Sequence, residues 1–132
     1  MKGVDTNILV RLLVADDAPQ AERVATMLQS AERAGENFFV SILVLLELVW
    51  VLDSAYGCTR AETLDALERL TMMPVLHIDN LDVVHRTIAL GRQSTQDIAD
   101  LLIACSAAAS GCTSVLTFDR AAAAKHDLFE RL

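Results

Sequence analysis

The sequence predicts an α/β fold, a compact and mostly parallel sheet of four to five strands flanked by helices, in a single domain spanning residues 1–132. Three observations carry this. Short apolar runs recur, each closed by a polar residue with turn or cap chemistry: Gly3 and Val4 before Asp5, 37–40 before Ser41, 75–78 before Asp79, and 114–118 before Asp119. Segments with apolar residues at helical spacing fill the intervals. At 132 residues the chain has one-domain size and buries about two thirds of the surface its unfolded form exposes.

Each element has a local reason. Gly3 and Val4 end a first strand, and Ile8, Leu9, Leu12 and Leu13 form the apolar face of a helix, so Asp5, Thr6 and Asn7 lie on the turn between them. Polar residues at the carboxyl end of a strand mark the edge where ligands bind in open α/β sheets. Asp16 and Asp17 before Pro19 start a second helix, faced by Ala21, Val24, Ala25, Leu28 and Ala31 and stopped by Gly35. Residues 37–40 form a short buried strand, and Ser41 caps a helix that is apolar on nearly all sides through Leu52, with Glu47 its only charge. Gly57 closes that helix. Thr59 and Glu62 have capping-box spacing for the next, whose stripe is Leu64, Leu67 and Leu70.

Met72, Met73 and Pro74 break the pattern before a third strand, 75–78, with Asp79 or Asn80 as the cap of a helix faced by Leu81, Val84 and Ile88. After the polar turn 94–96, Asp97 and Asp100 sit in the first turns of a helix whose Ile98, Leu101, Leu102 and Cys105 face inward, and Gly111 ends it. A fourth strand, 114–118, leads to Asp119 and a short alanine-rich helix, and 128–132 supplies a last edge strand.

Composition narrows the function. An apolar fraction of 53% exceeds what a small soluble monomer needs, so a homodimer or another partner is expected to cover some of it. The longest apolar run, 38–52, contains Ser41 and Glu47 and falls short of the roughly 20 residues a bilayer requires, and Asp5 and Arg11 interrupt any signal-peptide core. A cytoplasmic protein with no membrane association is expected. Cys58, Cys105 and Cys112 cannot all pair within one chain, and no Cys or His spacing suits zinc, so reduced and mostly buried thiols are expected. A net charge of −7 argues against a protein that coats nucleic acid generally. If Asp5, Glu47, Asp97, Asp100 and Asp119 share one site, the rest of the chain carries only −2.

Singly, most of these acids have innocent readings. Asp5 and Asp119 suit turns and caps, and Asp97 and Asp100 favour a helix N-terminus without any chemistry. Glu47 is harder to dismiss. A carboxylate held in an apolar helix costs several kcal/mol unless a cation or a solvated cleft meets it, and the chain has only two lysines, Lys2 and Lys125. Oxygen-only donors select Mg²⁺ or Mn²⁺.

Taken together, Val4-Asp5-Thr6-Asn7, Ser41 with Glu47-Leu48, the segment from Asp97 to Ala104 containing Asp100, and the segment from Val115 to Arg120 containing Thr117 and Asp119 resemble the motifs of PIN-domain ribonucleases, in particular the VapC-type toxins of type II toxin–antitoxin pairs. The resemblance spans the whole chain and rests on four motifs in order rather than on any one. It implies a PIN-like fold and a hydrolase, a Mg²⁺- or Mn²⁺-dependent endoribonuclease, with Asp5, Glu47, Asp100 and Asp119 as catalytic acids and metal ligands and Asp97 as a further ligand. It also implies that Thr6, Asn7, Ser41 and Thr117 orient carboxylates, water or phosphate. Ile98 departs mildly from the pattern, where an aromatic often stands.

The chemistry suits these residue types. Crowded carboxylates raise one another's pKa, and a divalent ion reverses this while activating water and stabilising phosphoryl charge. A receiver domain would need paired early acids and a late lysine, and an Asp-x-Asp phosphatase fails because position 7 is Asn. The alternative from a different class is a catalytically idle PIN-fold binding module. For the enzyme, an RNA substrate and a cognate antitoxin are the expected partners, the latter docking an apolar helix near Leu45, Leu48, Val49 and Leu52 and placing a cation among the acids.

Overall fold

In the computed structural model, which describes residues 1–132, the chain begins with β1 (Lys2–Gly3) and α1 (Thr6–Leu13). Then follow α2 (Ala18–Ala34), β2 (Phe38–Val40), α3 (Ile42–Ser54), α4 (Arg60–Thr71), β3 (Leu76–Ile78) and α5 (Leu81–Gln93). The chain closes with α6 (Ile98–Ala109), β4 (Val115–Thr117), α7 (Arg120–Lys125) and β5 (Phe129–Arg131). The α/β alternation expected from the sequence is present throughout.

Capping chemistry sets the helix starts. The Asp17 carboxylate accepts from Gln20 N at 3.0 Å with Pro19 in the first turn, and Ser41 Oγ accepts from Leu43 N at 3.1 Å. Thr59 and Glu62 complete a reciprocal box, with Glu62 N donating to Thr59 Oγ1 at 3.2 Å and Thr59 N to Glu62 Oε1 at 3.0 Å. Gly35 stops α2 with φ +68°, a conformation glycine adopts without a Cβ penalty. At the start of α5, Asn80 rather than Asp79 is the cap, left-handed and without a side-chain cap bond.

Every strand pairing is parallel, and the five strands form two sheets. In the first, β2 lies between β1 and β3, with Gly3 opposite Phe39 and Val40 opposite Ile78. In the second, β4 pairs only with β5, Val115 opposite Phe129. With two residues, β1 has few backbone groups to offer a second neighbour. This register places the residues after β1, β2 and β3, namely Asp5, Ser41 and Asp79, along one carboxyl edge.

The main core draws Leu9 from α1, Leu28 from α2, Val40 from β2, Leu45 and Leu48 from α3, and Leu70 from α4, all buried. A separate small cluster of Ala104, Ala122 and Phe129 joins α6, α7 and β5. The α4–α5 crossing is close: a Cβ on Gly91 would stand 2.7 Å from Leu64 Cδ2, and the Arg60 guanidinium donates to Gly91 O at 2.9 Å. Of the thiols, Cys105 is buried, Cys58 half-buried and Cys112 exposed, so the expectation of mostly buried thiols does not extend to Cys112, on the turn after α6. No helix is long and apolar enough to cross a membrane.

Candidate active site

Three of the five acids are helix caps. The Asp5 Oδ1 accepts from Ile8 N at 3.1 Å, Asp97 Oδ1 from Asp100 N at 3.0 Å, and Asp119 Oδ1 from Ala121 N and Ala122 N at 2.8 and 3.2 Å. The positive end of each helix favours these carboxylates. In every case one oxygen is held and the other has no donor within the chain. Thr117 Oγ1 accepts from Asp119 N at 3.0 Å, which fixes the turn from β4 into α7. Ser41 uses its hydroxyl as the α3 cap, Asn7 is exposed, and Thr6 is 5% exposed, so it supports the turn from beneath.

The structure brings Asp100 into the field of both Asp97 and Asp119. The Asp100 carboxyl is half-buried and is pushed above the usual carboxylate range, first by burial, then by the charge of Asp97 and then by that of Asp119. No cation offsets these effects, and Asp5 and Glu47 are not among the charges that act on it. No three Asp, Glu, His or Cys side chains are placed to hold one ion. The all-carboxylate donors therefore fit Mg²⁺ or Mn²⁺ in chemical type, while their side chains do not stand as a closed coordination shell.

Glu47 corrects the sequence reading. It is exposed, so the desolvation cost that singled it out does not arise. The helix that carries it buries Leu45, Leu48, Val49 and Leu52 in the core and turns Leu43 and Trp50, 71% and 67% exposed, to solvent on the same face as Glu47. The groove expected around Leu45, Leu48, Val49 and Leu52 is consequently core, and the free apolar face of α3 is the opposite one.

Two residues escaped the sequence reading. Gln96, 1% exposed and adjoining Asp97, has its Oε1 sealed from solvent without a donor. Such a group costs about 1–3 kcal/mol, and nothing in the polar turn 94–96 announces it. Trp50 lines a cavity of 210 Å³ together with Asp97 and Arg60. Its position three residues after Glu47 on one helix was the available signal.

Comparison with known proteins agrees with this architecture. The profile of the PIN domain family matches residues 3–127. The chain is also similar to a VapC ribonuclease of Aquifex aeolicus (strain VF5), 23% identical over 120 residues that cover 91% of this chain and 88% of that protein. The match from β1 to α7, with acids after β1 and β4 and at the start of α6, shows that the chain belongs to the PIN domain family.

Proposed function

We propose that this protein is a metal-dependent endoribonuclease that hydrolyses RNA phosphodiester bonds and serves, in the cytoplasm, as the toxin of a toxin–antitoxin pair. The observation that carries the reading is the uncompensated carboxylate group of Asp97, Asp100 and Asp119, with Asp100 raised between its neighbours and no basic residue acting on it. The likeness to a VapC ribonuclease supports RNA as the substrate. Asp5, Glu47, Asp97, Asp100 and Asp119 are the residues that would hold Mg²⁺ or Mn²⁺, which supplies water activation and neutralises phosphoryl charge when bound.

The chain's own part is orientation. Capping bonds fix one oxygen of Asp5, Asp97 and Asp119, so little side-chain freedom is lost when the second oxygen is used. In the hydrolysis, water oxygen bonds to phosphorus, the bond to the leaving ribose oxygen breaks, and the proton released by water is taken by a carboxylate of the set and returned to the leaving oxygen. Asn7, exposed in the first turn of α1, would donate to phosphate, and Thr117, which accepts from Asp119 N, would keep Asp119 in register. Single-stranded RNA or an RNA hairpin incubated with Mn²⁺ and purified protein is expected to be cut internally, with cutting lost on chelation and restored by excess Mn²⁺. Cutting that survives chelation would remove the metal from this reading, and no cutting would favour the idle PIN-fold binding module.

The apolar excess of the chain supports a homodimer, with Trp50, 67% exposed at the outer face of α3, as its candidate anchor. Light scattering is expected to give a dimer mass for the wild type and a monomer mass for Trp50→Glu with an unchanged circular dichroism spectrum. A wild type that is monomeric at every concentration would assign this face to the antitoxin instead.

A further inference from the structure

Beside Asp5 lies a groove of 520 Å³ between α1 and α2, lined by Asn7, Arg11, Gln20, Arg23 and Met27 among others. Asp5 is the one candidate acid in its lining, so the groove opens at the carboxyl end of β1. The two arginines differ in state. Arg11 Nη1 donates to Asp16 Oδ1 at 2.7 Å and to the Tyr56 hydroxyl at 3.4 Å, and its Nε donates to Gln20 Oε1. Arg23 is exposed and has no ion pair or side-chain hydrogen bond with any residue. A third arginine shares a cavity with a candidate acid, Arg60 with Asp97, but it is engaged at Gly91 O. Of the three arginines that share a cavity with a candidate acid, Arg23 is therefore the one with no partner.

The neutral groups of the groove are also donors. Arg11 Nε occupies Gln20 Oε1, which leaves the amide NH₂ of Gln20 facing no partner, and the Asn7 side chain is exposed. An anion with several acceptor oxygens satisfies such a set, and a fork-shaped guanidinium suits phosphate. In a molecule of net charge −7 an unpaired arginine in the groove that holds Asp5 gives a polyanion a local foothold that its overall charge denies.

We propose that the α1–α2 groove binds a phosphodiester of the RNA next to the one that is cut, with Arg23 as its cation and Asn7 and Gln20 as neutral donors. This rests on the ribonuclease reading above. Arg23 then contributes to substrate binding and register, not to the bond-breaking step.

Steady-state cleavage of a single-stranded RNA of about ten nucleotides tests it, alongside a dinucleotide that has one phosphodiester and no neighbour. For the longer RNA, Arg23→Ala is expected to raise KM about tenfold with kcat nearly unchanged, and to reduce the slope of log(kcat/KM) against log salt by about 0.7, one single-strand phosphate contact. Arg23→Lys should restore the slope. The dinucleotide should be cut equally by wild type and Arg23→Ala. If wild type cuts RNA and Arg23→Ala leaves KM and the salt slope of the longer RNA unchanged, the groove is not an RNA subsite while the nuclease reading stands. That conclusion holds also if Arg23→Ala weakens only a protein partner. A wild type that cuts neither RNA overturns both.

Discussion

Asp100→Asn is expected to lower RNA cleavage by at least about 100-fold and, in metal-free buffer, to make the protein more stable than the wild type. Both effects have one cause. The Asp100 carboxyl is half-buried between Asp97 and Asp119, so its ionised form is disfavoured and it holds its proton to a higher pH than in the unfolded chain. The sign of the stability effect follows from linkage. Below the unfolded carboxyl range, Asp100 is neutral in both states and costs nothing. Above its raised folded range, it is ionised in both states and only the folded state carries the repulsion, so wild-type stability falls as pH rises through the interval between the two. The amide has the same shape without the charge, so Asp100→Asn should flatten that slope. Divalent metal should reverse the ranking, because only the wild type gains stability from binding it. Thermal midpoints measured from pH 4 to 8 with chelator and with Mn²⁺, beside cleavage rates, decide the matter. A variant that is less stable without metal would show that Asp100 is not strained by its neighbours, and one that cuts RNA at the wild-type rate would show that it is no part of the reaction.

Leu48→Ala is expected to cost about 2–5 kcal/mol, a large share of the roughly 5–15 kcal/mol by which a domain of this size is stable. Leu48 is 0% exposed and belongs to the main core with Leu45 of the same helix and Val40 of the central strand. Truncation removes the transfer free energy of its methyl and methylene groups and leaves a cavity that rigid neighbours only partly fill. The thermal midpoint should fall by about 7–18 °C. Glu47→Gln, one residue away, changes an exposed side chain and should alter stability by no more than about 0.5 kcal/mol. Denaturant titration of the two variants separates the faces of α3. Comparable losses at both positions would mean that Glu47 is held in the core after all.

This pair of neighbours shows where sequence reading succeeds and where it stops. Caps at Asp17, Ser41 and Thr59 were legible because they are local, decided by a side-chain oxygen within three residues of an amide. The strands were legible because each short apolar run ends in turn chemistry. The orientation of α3 was not, since a helix apolar on nearly all sides has no face of its own, and what turns Leu43, Glu47 and Trp50 outward is packing by distant elements. The division of the strands into two sheets was equally hidden, because pairing between strands far apart in sequence leaves no local mark. As for the candidate site, the elements that carry the acids could be named from motif order. Their spacing could not, and the burial of Asp100 and of the neighbouring Gln96 emerged only in three dimensions.

The two sheets carry a consequence for how the molecule breathes. Proteins open in cooperative pieces whose free energies range from near zero up to that of global unfolding, and a piece with little buried apolar surface opens first. The unit of β4, α7 and β5 rests on the small cluster of Ala104, Ala122 and Phe129, closed by amides such as Val115 N to Leu128 O at 2.8 Å and Leu132 N to Thr117 O at 3.0 Å. Its amides should exchange with solvent well before those of β2 and β3. Asp119 rides on this piece, whereas Asp100 is anchored through α6 to the main core by Ile98, Leu102 and Cys105. A ligand gripped by both carboxylates therefore acts as a latch on residues 115–131, and resistance to proteolysis in that segment reports on occupancy of the site without any substrate being turned over.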